Sequence, residues 1–248
     1  MNRRHFLAQT AGAVAAGAMI SPRVQAATAG PKITPLSQSP YAPGPKPGPV
    51  VKPGEFIFAA AHFDHGHLTG QCSSLIEAGA ALKWIYEPDA KKRASFVAKF
   101  KQAKVARSLD EILADPEVKL VTAAAVTSER GPIGCRVMEA GKDYFTDKAP
   151  FTTLEQLAQA RAVAARTGRK YLVNYGERLG SEAGMFATDL VKAGVLGRIV
   201  QVAGFGPHRL SKSTRPAWFF EREKYGGILC DIGSHQCEQF LPYAGATD

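Results

Sequence analysis

The chain has 248 residues and a formal net charge of +9, and its 45% hydrophobic and 21% charged residues exclude a collagen-like or wholly disordered protein. The densest basic segment, residues 91–104, has a helical pattern, so we expect its charges on a solvated face and predict no nucleic-acid partner. The four cysteines form no C-x-x-C pair, which excludes a zinc-finger framework and predicts buried free thiols.

Residues 1–26 predict a twin-arginine signal peptide. Arg3 and Arg4 precede a weakly apolar run, residues 8–20, that is too short to span a bilayer. Residues 24–26, Val-Gln-Ala, offer a small-residue cleavage site. Because twin-arginine export carries folded proteins, we expect a periplasmic or otherwise extracytoplasmic protein, with no membrane partner beyond the export signal. The alternative is a basic, disordered tail.

Residues 27–54 predict a proline-rich linker. Eight prolines fall within residues 31–53. Proline fits neither the interior of a helix nor a central strand, so this segment favours extended conformations. We expect a tether or a wrapped arm ahead of the folded domain.

From residue 55 to residue 176 the pattern alternates between strand and helix. Short apolar runs predict strands, and apolar residues at helical spacing predict helices. The alternation predicts an α/β fold, a Rossmann-like doubly wound parallel sheet covered on both faces. The predicted strands are 56–61, 81–86, 120–126, 143–145 and 170–174, and the predicted helices are 69–78, 90–101, 109–113, 131–140 and 154–167.

From residue 177 the pattern changes. We predict a helix over residues 181–192, a strand over residues 199–205, and a further helix that begins near Asp231. Residues 177–248 are therefore predicted to be the start of a second, α+β domain that contacts substrate.

Two short motifs carry ionisable side chains. Asp147-Lys148-Ala149-Pro150 ends a predicted strand, where the ligands of a parallel sheet bind. In the segment from Gly226 to His235, Asp231 precedes His235 by four residues, so on one helix the two would share a face. A carboxylate beside an imidazole can orient it and exchange protons with a hydroxyl group. The alternative is a helix start with a capping aspartate and a polar outer face.

These motifs resemble two signatures of the Gfo/Idh/MocA family of nicotinamide-dependent sugar and polyol dehydrogenases. The family has Glu-Lys-Pro where this chain has Asp147-Lys148-Ala149, and its second signature, Gly-Gly-x-x-x-Asp-x-Gly-x-His, is intact from Gly226 to His235. The resemblance implies that Lys148 lies near the nicotinamide and polarises the reacting hydroxyl. It further implies that His235 takes or returns the proton, and that Asp231 orients His235 or holds a second hydroxyl.

The same resemblance implies the partners and the extent of the second domain. The expected substrate is a small, sugar-like molecule. Members of the family continue well beyond the point that matches Asp248, so we expect the second domain to be truncated here. A complete second-domain sheet would offer a surface for a homo-oligomer.

The loop after the first strand departs from the family. Such folds place G-x-G-x-x-G there so that the backbone can approach a pyrophosphate. Here His62, Asp64 and His67 occupy the glycine positions, and only Gly66 remains, next to His65. We predict that these five residues contact the cofactor together with Asp147 and Lys148, and that binding is weak.

Glu87, at the end of the second predicted strand, bears on the choice of cofactor. An acid at this position hydrogen-bonds the adenosine ribose and repels a 2′-phosphate, which predicts NAD rather than NADP. The alternative is a solvent-exposed turn residue.

Two further hypotheses stay open beside a dehydrogenase. Imidazole and carboxylate groups suit zinc or another divalent ion, but neighbouring loop residues seldom converge on one ion and the sequence shows no distant ligand, so we predict no metal site. The other hypothesis is a non-catalytic ligand- or partner-binding relative that has lost the phosphate-binding glycines.

Overall fold

The computed structural model describes residues 48–245, so the predicted signal peptide and most of the predicted linker lie outside the described residues. In the described part, parallel strands form one sheet in the order β3-β2-β1-β4-β5-β6. The strands are β1 Ile57–Ala61, β2 Ala81–Tyr86, β3 Lys104–Val105, β4 Val118–Ala123, β5 Asp143–Asp147 and β6 Tyr171–Asn174. The helices are α1 Leu68–Glu77, α2 Ala90–Lys99, α3 Leu109–Ala114, α4 Thr127–Glu139, α5 Leu154–Thr167, α6 Gly176–Leu179, α7 Glu182–Lys192, α8 Arg222–Tyr225, α9 Ile228–Asp231 and α10 Gly233–Ala244, with 3-10 turns at Lys212–Thr214 and Ala217–Phe220.

Helices cover both faces of the sheet. Side chains alternate between the faces of a strand, and β1 is fully buried from Phe58 to Ala61. Phe58 lies in a core with Leu68 of α1 and Phe96 of α2, whereas Ala61 lies in a second core with Met138 of α4. Burial on both faces is typical of a doubly wound parallel sheet, so the predicted α/β fold is confirmed.

Helix α4 begins at Thr127, four residues before the predicted start at residue 131. The predicted bounds would put Pro132 in the first turn of the helix, where the N–H that proline lacks is not needed. In the structure Pro132 lies inside α4. The carbonyl of Ser128, four residues earlier, instead accepts a hydrogen bond of 2.8 Å from the Gln156 side chain. The helix can therefore continue through the proline.

The strand predicted over residues 199–205 is wrong, because this segment contains no strand. Val200 is 84% exposed and Phe205 is 92% exposed. A strand is stabilised by pairing with a neighbour, and residues 175–245 contain no strand that could pair with it. Two of the large apolar side chains that suggested a strand, Val200 and Phe205, are therefore left in solvent.

The helix predicted to begin near Asp231 is also different. Asp231 is the last residue of α9, and α10 begins at Gly233. Asp231 and His235 therefore do not share one continuous helix. Glu238 of α10 pairs with Arg178, whose Nε lies 2.9 Å from Glu238 Oε1.

All four cysteines are free. Cys72 and Cys135 are buried, as predicted, whereas Cys230 is partly buried and Cys237 is exposed. A search of residues 48–245 for a long, apolar helix able to cross a bilayer found none.

Candidate functional site

The strand ends bring the predicted site residues to one edge of the sheet. In the register of β5 and β6, Asp147 pairs with Asn174 at the carboxyl end of both strands. Lys148 follows directly, and the loop after β1 lies at the same edge because the amide of His65 donates to the carbonyl of Ala124, just after β4. The edge of a parallel sheet at this end is where ligands bind.

The two sequence motifs meet in a buried ion pair. Lys148 Nζ contacts Asp231 Oδ1 directly, and the two side chains are 5% and 8% exposed. The second oxygen of Asp231 accepts a hydrogen bond of 3.0 Å from the Tyr225 hydroxyl. The structure therefore joins the strand-end motif to the glycine motif, through the end of α9 rather than along one helix.

His235 lies beside this pair and is buried. Its Nδ1 has no hydrogen-bond partner in the described part of the chain, and its Nε2 lies 4.0 Å from Glu177 Oε1. Burial, and then the positive charge of Lys148, lower the pKa of His235 below its ordinary value of 6.5. The imidazole is therefore neutral at neutral pH and able to accept a proton.

Asp147 is a fully buried carboxylate that joins both strand-end loops. His65 Nδ1 lies 2.7 Å from its Oδ2, His67 Nδ1 lies 2.9 Å from its Oδ1, and the amide of Lys148 donates to Oδ1 at 2.8 Å. Burial opposes ionisation of Asp147, but the two histidine contacts and the charge of Arg130 outweigh it and hold its pKa well below the usual range.

Arg130 was not predicted from the sequence. It is 1% exposed, and its guanidinium donates to the carbonyls of Ala125, Lys148 and Ala149 and lies 3.5 Å from Asp147 Oδ2. The Lys148–Ala149 peptide that it holds is cis. The partners of Arg130 are mostly backbone carbonyls, so no pattern in the sequence indicated this residue.

The predicted phosphate loop is the segment of residues 62–67 between β1 and α1. It lacks the glycines of a glycine-rich loop, and the structure accommodates this difference. His62, at the first glycine position, has a left-handed backbone with φ of 56°, a conformation that glycine adopts without strain. Asp64 forms an ion pair with Lys92 of α2, in which Lys92 Nζ and Asp64 Oδ1 lie 2.6 Å apart. A Cβ at Gly66 or Gly70 would meet nothing within 4 Å, so the start of α1 is open to a ligand.

Glu87 is buried rather than a solvent-exposed turn residue. Its two carboxylate oxygens accept hydrogen bonds from the amides of Phe63 at 2.6 Å and Asp89 at 2.9 Å. These bonds fix the acid at the end of β2, and each oxygen keeps a lone pair for a ribose hydroxyl. Together with the uncapped start of α1, whose free N–H groups favour an anion, this residue set fits a dinucleotide.

Two cavities flank the phosphate loop. The larger, of about 510 Å³, is lined by Gly66, His67, Gly70, Asn174, Gly176, Glu177 and His235. The smaller, of about 360 Å³, includes His62, Tyr86 and residues of α3 and α4. The start of α1 and the imidazole of His235 thus line the same cavity.

Two family models match the chain. Residues 60–175 match the model described as the oxidoreductase family, NAD-binding Rossmann fold, and residues 185–247 match the GFO/IDH/MocA C-terminal domain. The chain belongs to the Gfo/Idh/MocA family. This match bears out the predictions of that family and of NAD as its cofactor.

Known relatives agree with this assignment. D-xylose dehydrogenase of Paenarthrobacter nicotinovorans is 31% identical over 145 residues, which cover 55% of this chain and 36% of the relative. A protein of Erwinia carotovora atroseptica, described only as an oxidoreductase, has a solved structure with a TM-score of 0.74 and 42% identity, covering 77% of this chain and 57% of that one. The WlbA dehydrogenase of Bordetella pertussis, solved with NADH and UDP-GlcNAcA, shares the fold with a TM-score of 0.65 at 16% identity, covering 77% and 56% of the two chains.

The match to these relatives is partial in length. The chain spans 36% of the curated D-xylose dehydrogenase and 57% of the Erwinia structure.

Proposed function

We propose that this protein is an NAD-dependent oxidoreductase that oxidises a hydroxyl group of a sugar, a polyol or a related molecule. The observation that carries the proposal is the meeting of Lys148, Asp231 and His235, which come from two separate family signatures. His235 lines a cavity that is also lined by Gly66 and His67 of the predicted phosphate loop.

The chemistry follows from the protonation of these side chains. Oxidation of an alcohol removes a hydride from carbon and a proton from the hydroxyl, and NAD, when bound, accepts the hydride. Neutral His235 is suited to take the proton, since its Nδ1 has no partner and its pKa is lowered. The ammonium group of Lys148, fixed by Asp231, can donate a hydrogen bond to the substrate oxygen as negative charge develops there.

The substrate class rests on the lining of the cavity and on the relatives. Asn174, Glu177, His67 and His235 present amide, carboxylate and imidazole groups to the larger cavity. Several hydroxyl groups on one small molecule would match these donors and acceptors. The similarity to a D-xylose dehydrogenase points to the same class.

A hydride-transfer assay tests the proposal directly. The full chain is incubated with NAD and a panel of aldoses, polyols and simple alcohols, and NADH formation is followed by absorbance. We expect turnover with at least one polyhydroxy substrate, a loss of about 10²–10⁴-fold in Lys148→Ala, and no change in Lys192→Ala, a control at an exposed lysine of α7. Turnover that is equal in both variants contradicts the assigned site.

The same assay separates a dehydrogenase from a non-catalytic relative. If calorimetry shows that NAD binds while the panel gives no turnover, the protein is a binding protein built on the family fold. The missing phosphate-loop glycines favour this second function, whereas the buried pair of Lys148 and Asp231 favours the enzyme.

We also propose that the protein is exported by the twin-arginine route. The support is the sequence of residues 1–26, with Arg3 and Arg4 ahead of an apolar run and a small-residue cleavage site.

A further inference from the structure

We propose that His65, His67 and Asp147 bind a divalent transition-metal ion of the zinc class. Their ligand atoms lie within 4.8 Å of one another. Asp147 is 80 residues from His67 in the chain and meets it only through the fold. The sequence showed no distant ligand for the histidine loop, and the structure supplies one.

The ligand types and the loop geometry suit such an ion. Two imidazole nitrogens and one carboxylate oxygen form a ligand set common for zinc and for neighbouring transition metals. Gly66 separates the two histidines, and their rings lie 4.1 Å apart in an edge-on arrangement. Both Nδ1 atoms lie close to the carboxylate, at 2.7 Å from Oδ2 for His65 and 2.9 Å from Oδ1 for His67.

The distances require only a small adjustment on binding. Tetrahedral bonds of about 2.0–2.2 Å place neighbouring ligand atoms roughly 3.3–3.5 Å apart. The observed separations of 2.7 and 2.9 Å are shorter by roughly 0.4–0.8 Å. Outward rotation of His67, whose side chain is 48% exposed, opens this space without disturbing the core.

The carboxylate that would bind the ion is already held in place. The amide of Lys148 donates to Asp147 Oδ1 at 2.8 Å, and Arg130 Nη2 lies 3.5 Å from Oδ2. Contacts of this kind orient metal-binding carboxylates. The charge of Arg130 opposes a cation, so we expect weaker affinity than in a structural zinc site with four protein ligands.

The site has an entry path and an open side. Gly66 and His67 line the cavity of about 510 Å³, so an ion can enter from solvent. Three protein ligands leave a fourth position for water or another small ligand. The inference does not depend on hydride transfer, because it rests on the three ligands alone.

Calorimetric titration of ZnCl2 or CoCl2 into the chelator-treated full chain tests the proposal. We expect one ion per chain, and Co²⁺ should show the visible absorption of a low-symmetry site. His65→Ala and His67→Ala should each weaken binding by tenfold or more, since even indirect contacts to metal ligands contribute about 10–100-fold. The control is His208→Ala, which removes an exposed histidine that is not one of the three ligands and should bind normally. Asp147 is fully buried, so the test uses the histidine variants, checked for native folding by circular dichroism.

Several results would overturn the proposal. They are the absence of binding by the folded wild-type chain, binding that both histidine variants retain, or binding that His208→Ala loses. A parallel titration with NAD separates this inference from the proposed function. If the wild-type chain binds the metal ion but not NAD, the result contradicts only the proposed dehydrogenase. If it binds NAD but not the metal ion, the result contradicts only the metal site.

Discussion

Lys148 and Asp231 lie 83 residues apart in the chain and form a buried ion pair. The pair fastens the segment after β5 to the end of α9, and Tyr225 of α8 donates a further hydrogen bond to the same carboxylate. Taking two charges out of water is costly, so the contribution of the pair depends on both partners being present.

We predict that breaking this pair on one side destabilises the fold. Lys148→Met or Asp231→Asn should lower the free energy of unfolding by about 3–5 kcal/mol, because each leaves the other charge buried without its partner. The double variant should be more stable than the sum of the single effects implies. Urea denaturation of the four proteins at pH 7.5 gives the coupling energy, and strictly additive effects would show that the two side chains do not interact.

A second prediction concerns the pH dependence of alcohol oxidation. The proposed base is neutral His235, and its pKa lies below 6.5 because of burial and the charge of Lys148. The rate should therefore hold as pH falls to about 6.5 and decline only at lower pH, where the imidazole becomes protonated.

The matched variants are His235→Gln and His208→Gln. Replacing the base should lower the rate by about 10²–10⁴-fold and abolish the acid decline. The exposed His208 should leave both rate and profile unchanged. An acid decline that persists in His235→Gln assigns the proton transfer to another group.

The sheet could be predicted from the sequence because local patterns determine it. Helix α5 begins and ends at the predicted residues, with Thr153 as its cap and Gly168 in a left-handed conformation after it. The meeting of Asp147 with His65 and His67 could not be predicted, because it depends on which strands are neighbours in space. Arg130 was missed for the same reason, since its partners are backbone carbonyls that carry no sequence signal.

In residues 177–248, by contrast, local sequence patterns did not determine the structure. The apolar residues of the 199–205 segment have the composition of a strand, but a strand exists only where another strand pairs with it. Helix α9 ends at Asp231 and α10 begins at Gly233, so the four-residue spacing of Asp231 and His235 did not by itself place them on one helix.

A third prediction is loss of stability in acid through Asp147. Its pKa in the folded protein is lowered by His65, His67 and Arg130, so the unfolded chain takes up a proton first. The stabilisation is therefore complete above the ordinary value of 3.8 and is lost as pH falls below it. Urea midpoints between pH 6 and pH 3, measured with a chelator present, should fall more steeply for the wild type than for Asp147→Asn. Asp110→Asn, at a largely exposed carboxylate, should follow the wild type.

A fourth prediction concerns export. Replacing Arg3 and Arg4 together by lysine should leave the protein in the cytoplasm with its signal uncleaved, because the twin-arginine pair is the recognised feature. Cell fractionation and the mass of the mature chain provide the measurement. Replacing both arginines by lysine keeps the positive charge, so continued export would indicate an export route that depends on charge alone and not on the arginine pair.

A fifth prediction is that NAD binds more tightly than NADP. Glu87 is fixed at the end of β2 by the amides of Phe63 and Asp89, and its negative charge would repel a 2′-phosphate. We expect at least about a tenfold difference in Kd, equivalent to about 1.4 kcal/mol. Calorimetry with both nucleotides measures it, and equal affinities would show that Glu87 acts only on the conformation of the loop.

NAD affinity itself should be low, and the phosphate loop is the cause. His62, Asp64 and His67 stand where glycines would let backbone N–H groups reach the phosphates. Each lost hydrogen bond to a charged acceptor costs roughly 1.5–3 kcal/mol, or about one to two decades in Kd.

Two variants test this account of the loop. Because Lys92 holds Asp64 at 2.6 Å, Asp64→Gly should remove a negative charge and release this lysine toward the ligand, so the affinity for NAD should rise about tenfold. Lys92→Ala should lower it, since Asp64 would then face the phosphates uncompensated. Tight NAD binding that neither variant changes would mean that this loop is adapted to the cofactor rather than impaired.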